Sequence, residues 1–100
     1  MYNNRYIWDK DKYETNFRKH GITFQEAATV FDDPNAIIEY DEEHSYDEER
    51  FSIMGLSKNV RLLIVCHCYR NGDAFVRIIS ARAANKKEKA FYTRRADIND

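Results

Sequence analysis

Residues 61–82, RLLIVCHCYRNGDAFVRIISAR, decide the fold. Two apolar runs, 61–69 and 74–82, flank Asn71-Gly72-Asp73, a hairpin turn signal. The first run is the most apolar in the chain and reads as a central strand. Period two sets Leu62, Ile64, Cys66 and Cys68 on one face and Leu63, Val65, His67 and Tyr69 on the other. The first set reads as the core face, which sends His67 and Tyr69 to the less covered side. In the second run Val76, Ile78, Ser80 and Arg82 share a face, with Arg77, Ile79 and Ala81 opposite. Period two leaves open which of these faces joins His67. Arg82, at the strand end, is best placed to reach an open site.

Upstream, residues 36–40 and 50–57 read as two further strands joined by the acidic turn 41–49, with Gly55 marking a bulge or a close approach. Before them lie two helices. Asp9 caps the first, residues 10–20, with Trp8 and Tyr13 as a hydrophobic staple, and Gly21 is its left-handed stop. Thr23 and Glu26 form a capping box for the second, whose Phe24, Ala27, Ala28 and Phe31 make one apolar face. Asp33-Pro34 ends it. Residues 5–8 form a short opening strand. Asn85 and Glu88 cap a last helix over Lys86–Arg94. The expected fold is α+β: a helical pair packed on an antiparallel β-meander, with a C-terminal helix, in one domain over residues 1–100.

At 43% hydrophobic with 14% aromatic residues the chain is not a disordered one. No apolar run approaches a membrane span and no signal-peptide pattern opens it. Cys66 and Cys68 stand within an apolar strand, unlike a secreted disulfide framework, so a reducing cytoplasm is expected and no membrane partner. The net charge of −1 conceals a split: residues 1–60 carry 7 Lys/Arg and 13 Asp/Glu, residues 61–100 carry 9 and 4. Such a molecule can hold a polyanion at one place and a basic partner at another.

Candidate chemistry lies in few residues. Lys19-His20-Gly21 closes the first helix. A cation there complements the helix dipole, and a histidine there is also a proton-transfer group on a rigid element. Arg61, Arg70, Arg77 and Arg82 surround the hairpin, and arginine binds phosphate bidentately. Lys86 and Lys87 oppose the dipole of their own helix, which points to an anionic partner. Cys66-His67-Cys68 is no metal motif, since alternation puts the histidine opposite both thiols and no second ligand pair has zinc spacing. No glycine-rich phosphate loop or nucleophile elbow occurs. No cofactor is expected.

Trp8-Asp9, Lys12, Asn16, Lys19-His20-Gly21, Phe24, Glu26-Ala27, Val30-Phe31, Asp33-Pro34, Arg50, Gly55, Ser57, Arg61, the run Arg77–Arg82, Glu88 and Tyr92 resemble the BrnT family, whose members are similar to RelE/ParE-type toxins. The resemblance covers nearly the whole chain, though the acidic turn 41–49 is longer than the pattern needs. It implies a bacterial ribonuclease toxin, neutralised by a BrnA-type antitoxin with a ribbon-helix-helix domain. It also implies that operator DNA is reached only through that antitoxin.

A ribonuclease without a metal needs a base for the 2′-OH, cations for the phosphorane and an acid for the leaving 5′-oxygen. The expected assignment gives the phosphate charge to Arg61 and Arg82, with His20 and His67 as candidates for the proton transfers and Lys19 or Tyr69 as substitutes. Lys19, Tyr69, Arg77, Lys86 and Lys87 complete the RNA contacts. The rival class is a non-catalytic co-repressor subunit that holds a basic antitoxin segment on its acidic stretch.

Overall fold

The 61–82 hairpin forms the middle of the sheet in the computed structural model, which describes residues 4–99. In chain order the elements are β1 (Tyr6–Ile7), α1 (Lys10–His20), α2 (Phe24–Thr29), β2 (Ile37–Tyr40), β3 (Phe51–Leu56), β4 (Leu62–Arg70), β5 (Phe75–Ala83) and α3 (Lys86–Asn99). The strands stand in the order β1-β5-β4-β3-β2. β2 to β5 are the antiparallel meander, and β1 adds a two-residue parallel edge, Tyr6 opposite Val76 and Ile7 opposite Arg77.

Local chemistry sets the helix ends. Asp9 accepts the Lys12 N–H at 3.0 Å, and Thr23 Oγ1 accepts the Glu26 N–H at 3.1 Å. Gly21 ends α1 at φ +68°, a conformation that favours glycine, with its N–H on the Phe17 carbonyl at 2.8 Å. Asn85 and Glu88 exchange hydrogen bonds at 2.8 and 2.9 Å, a complete capping box for α3. α3 then runs to Asn99, past the expected end at Arg94.

The helical pair covers the face opposite to the one expected. Leu63, Val65 and His67 point under α1 and α2, where Ile22, Phe24, Ala27, Ala28 and Val30 meet Ile53, Val76, Ile78 and Ala81. Leu62 and Ile64 face the other side, under α3, with Ile37, Met54, Ala84 and Tyr92. Both faces of β4 are apolar, so alternation alone could not choose between them. A second correction concerns β5. Cys66 pairs with Ser80, but His67 pairs with Ile78, so Ile79 is an extra residue. This bulge inverts the alternation. Val76 and Ile78 enter the helical core, while Ser80 and Arg82 turn to the α3 side.

Two polar contacts brace this frame. β1 stops beside Arg77, and at the uncovered edge of β5 the buried Asn16 takes its place. The Asn16 carboxamide donates to the Ala81 carbonyl and accepts the Ala81 N–H, both at 3.0 Å. Asp33 accepts the Leu56 N–H at 2.8 Å, the Asn35 N–H at 2.9 Å and the Tyr92 hydroxyl, tying α3 to the start of β2 and the end of β3. Gly55 permits this approach: a Cβ there would stand 3.0 Å from Asp33 Oδ2 and from Val30 Cγ1.

Candidate functional site

α3 covers only part of the second sheet face. Between its first turns and the 41–50 loop the sheet stays open, as a groove of about 800 Å³. Its floor is Ser52, Met54, Ile64, Cys66 and Ser80, and Arg82 stands at one wall. Lys87, Glu88 and Phe91 come from α3, Glu39, Asp41, His44 and Arg50 from the facing rim, and His20 from the end of α1. The β5 bulge creates this site, because without it Ser80 and Arg82 would lie under the helices.

Arg82 is held bidentately by Glu88, Nη1 and Nη2 each 2.9 Å from a carboxylate oxygen, and Nη1 also donates to the Ala83 carbonyl at 3.3 Å. The Arg82 hydrogen bonds hold the Glu88 carboxyl below the usual glutamate range, and the carboxylate in turn raises Arg82. Because Glu88 also closes the α3 capping box, the helix start and the guanidinium are fixed as one unit. Among the described residues the hydrogen bonds of Arg82 run through Nη1 and Nη2, and its side chain is 44% exposed. Lys87 joins no ion pair among the described residues.

Of the residues expected to act, the structure brings His20, Arg82 and Lys87 together. It places the others elsewhere. Arg61 forks onto Glu26, with Nε 2.9 Å from Oε2 and Nη2 on Oε1, and Ser57 donates to the same carboxylate at 2.6 Å. Glu26 is 3% exposed, and the bond to Arg61 holds its carboxyl low against the opposing effect of burial. Arg61 thus bolts α2 to the β3–β4 turn instead of facing the groove beside Arg82. His67 is 0% exposed, a correction to its expected place on the open side. Its ring packs against Phe31, Phe51 and Tyr69, with Nδ1 3.2 Å from the Val65 carbonyl and Nε2 3.3 Å from the Tyr69 hydroxyl. These partners fit a neutral ring that donates from Nδ1 and accepts at Nε2, and burial lowers its pKa. Tyr69 belongs to the same aromatic cluster. Lys19 and Lys86 are exposed outside the groove, and Arg77 sits near Glu48 at 3.9 Å.

Cys66 is half-buried on the groove floor and Cys68 is buried, and burial pushes both thiols up. Among the described residues no three His, Cys, Asp or Glu side chains converge as a metal-ligand set. Of the other polar groove residues, Asp41 and His44 carry no expectation from the sequence, while Glu88 is expected as a helix cap and, like Arg50, within the resemblance, but not as part of a site. His44 had one signal, a lone imidazole three residues after Asp41 in an otherwise acidic stretch.

Residues 8–88 match the family model described as the ribonuclease toxin BrnT of type II toxin–antitoxin systems. The chain belongs to the BrnT family. Its fold is similar to the crystal structure, at 1.1 Å resolution, of the Brucella abortus ribonuclease toxin BrnT. The two share 23% identity with a TM-score of 0.63, over 82% of this chain and 97% of that one. No curated protein sequence matches this chain. BrnT membership implies an antitoxin partner. It also agrees with the α+β architecture of helical pair, meander and C-terminal helix. No helix among the described residues is long and apolar enough to cross a membrane.

Proposed function

We propose that this BrnT-family chain is a metal-independent endoribonuclease that acts in the cytoplasm, arrests growth by cleaving RNA, and is neutralised by a BrnA-type ribbon-helix-helix antitoxin. The observation that carries the reading is the convergence of His20, Arg82 and Lys87, from α1, β5 and α3, on one open groove. Arg82 and Lys87 neutralise charge that grows on the phosphorane, and an arginine already fixed by Glu88 needs no reorganisation to do so. His20 stands at a rigid helix end, where a cationic ring complements the dipole, and serves as the acid that protonates the leaving 5′-oxygen. RNA supplies its own nucleophile, the 2′-OH, so the product carries a 2′,3′-cyclic phosphate. An antitoxin segment laid along α3 would cover Lys87 and close the groove, and operator DNA would be bound through the antitoxin.

The second reading, a non-catalytic co-repressor subunit, draws on the same groove. Glu39, Asp41 and Glu88 line it alongside Arg50, Arg82 and Lys87, so its fixed charges balance. The purified chain incubated with RNA in excess EDTA separates the two. Cleavage to cyclic-phosphate ends, suppressed by the antitoxin, is expected. Intact RNA, or cleavage that returns only on adding a divalent ion, would contradict the proposal.

A further inference from the structure

The reaction proposed above needs two proton-transfer groups, and the burial of His67 removes one of the two expected. The 41–50 loop brings another imbalance into view, an imidazole already oriented by a carboxylate. His44 Nδ1 lies 3.0 and 3.1 Å from the two carboxylate oxygens of Asp41. Both residues line the groove that contains Arg82, Lys87 and His20. The His44 side chain is 61% exposed, against 0% for His67 as a residue, so substrate can reach it.

The loop is built to hold this pair. The Asp41 N–H donates to the Arg50 carbonyl at 2.8 Å and closes the neck. Ser45 Oγ donates to the Asp41 carbonyl and accepts the Arg50 N–H at 2.9 Å, which bridges the neck a second time. A single 3-10 turn, Glu42–His44, folds the ring back over Asp41. A short loop with joined ends, packed on its own side chains, is a common carrier of functional groups.

We infer that His44 is the general base of the groove, with Asp41 as its positioning residue; this rests on the ribonuclease reading. The carboxylate selects the tautomer with the proton on Nδ1 and leaves the Nε2 lone pair for substrate. Nε2 takes the proton of a ribose 2′-OH. The 2′-oxygen bonds to the adjacent phosphorus, the bond from phosphorus to the 5′-oxygen breaks, and His20 gives that oxygen a proton. The products are a 2′,3′-cyclic phosphate and a free 5′-OH, with no oxidant or co-reactant. DNA lacks the 2′-OH and is not a substrate for this step.

His44→Asn separates a general base from a mere loop staple. Asn keeps a donor near the Nδ1 position, hence the bond to Asp41, and removes Nε2. The expected result is a fall in kcat of about 10²–10⁴ with little change in KM or melting. Asp41→Asn should lower kcat by a smaller factor and leave KM unchanged, because the carboxamide still bonds Nδ1 but no longer fixes the tautomer. Glu43→Gln, on the same loop outside the groove, should keep the wild-type rate. A wild-type rate in His44→Asn while Arg82→Ala is inactive would overturn this inference and leave the ribonuclease reading standing. A wild-type protein that cleaves no RNA would overturn both.

Discussion

Arg61 and Arg82 present the same guanidinium fork to two carboxylates in different surroundings. Glu26 is buried, so its partner Arg61 neutralises a charge that water cannot reach. Arg61→Ala should destabilise the fold by about 3 kcal/mol, the lower end for an orphaned buried charge, because the outer half of Arg61 is already solvated. Chemical denaturation of the variant checks this, and an unchanged midpoint would refute it. Nothing in the sequence distinguishes the two arginines, since the partner of Arg61 lies 35 residues away. His67 was misplaced for a related reason: its neighbours Phe31, Phe51 and Tyr69 come from three elements. Its buried neutral ring has a pH consequence. Above the unfolded value of about 6.5 neither state is charged and stability does not depend on it. Below that value the unfolded chain takes up a proton that the folded chain resists, so stability falls, by at most about 1.4 kcal/mol per pH unit. Urea midpoints at pH 7 and 5.5 should separate further for the wild type than for His67→Gln; equal separations would contradict this origin.

At the scale of elements the sequence was most informative where caps and turns are local. Asp9, Gly21, Thr23 with Glu26, and Asn85 with Glu88 mark helix ends that the structure keeps. The orientation of β4 and β5 was not legible. Both faces of β4 are apolar because helices cover both, and the Ile79 bulge leaves no mark in the composition of its strand. The anchoring of α3 was equally hidden, although Asp33 and Tyr92 were both singled out. Burial and the bond to Asp33 push the Tyr92 hydroxyl up to about 12, so it remains a donor at neutral pH. Tyr92→Phe removes one hydrogen bond to a carboxylate that keeps two backbone donors, and should cost about 1.5–3 kcal/mol. Amide exchange across residues 86–97 should quicken in the same variant; unchanged protection there would show that the apolar contacts of Tyr92 hold α3 alone.

Across the whole molecule, the charge split of the sequence becomes the two rims of one groove. The acidic half contributes Glu39 and Asp41 with Arg50, and the basic half contributes Arg82 and Lys87 with Glu88. The acidic turn that looked too long is the loop that brings Asp41, His44 and Arg50 to the site. One rim and the end of α1 are legible in the sequence, whereas the other rim looks like a separate surface, because the distance between the two is set by the sheet and not by the chain. The central claim is that this groove is a ribonuclease site with Arg82 at its phosphate. The most direct test is the initial rate of RNA cleavage, in EDTA, for Arg82→Ala beside the wild type, with thermal melting of both. A loss of about 10²–10³ in rate is predicted, with nearly unchanged melting, because the Arg82–Glu88 pair is solvated and the capping box survives without it. Full cleavage activity in a folded Arg82→Ala protein would contradict the account.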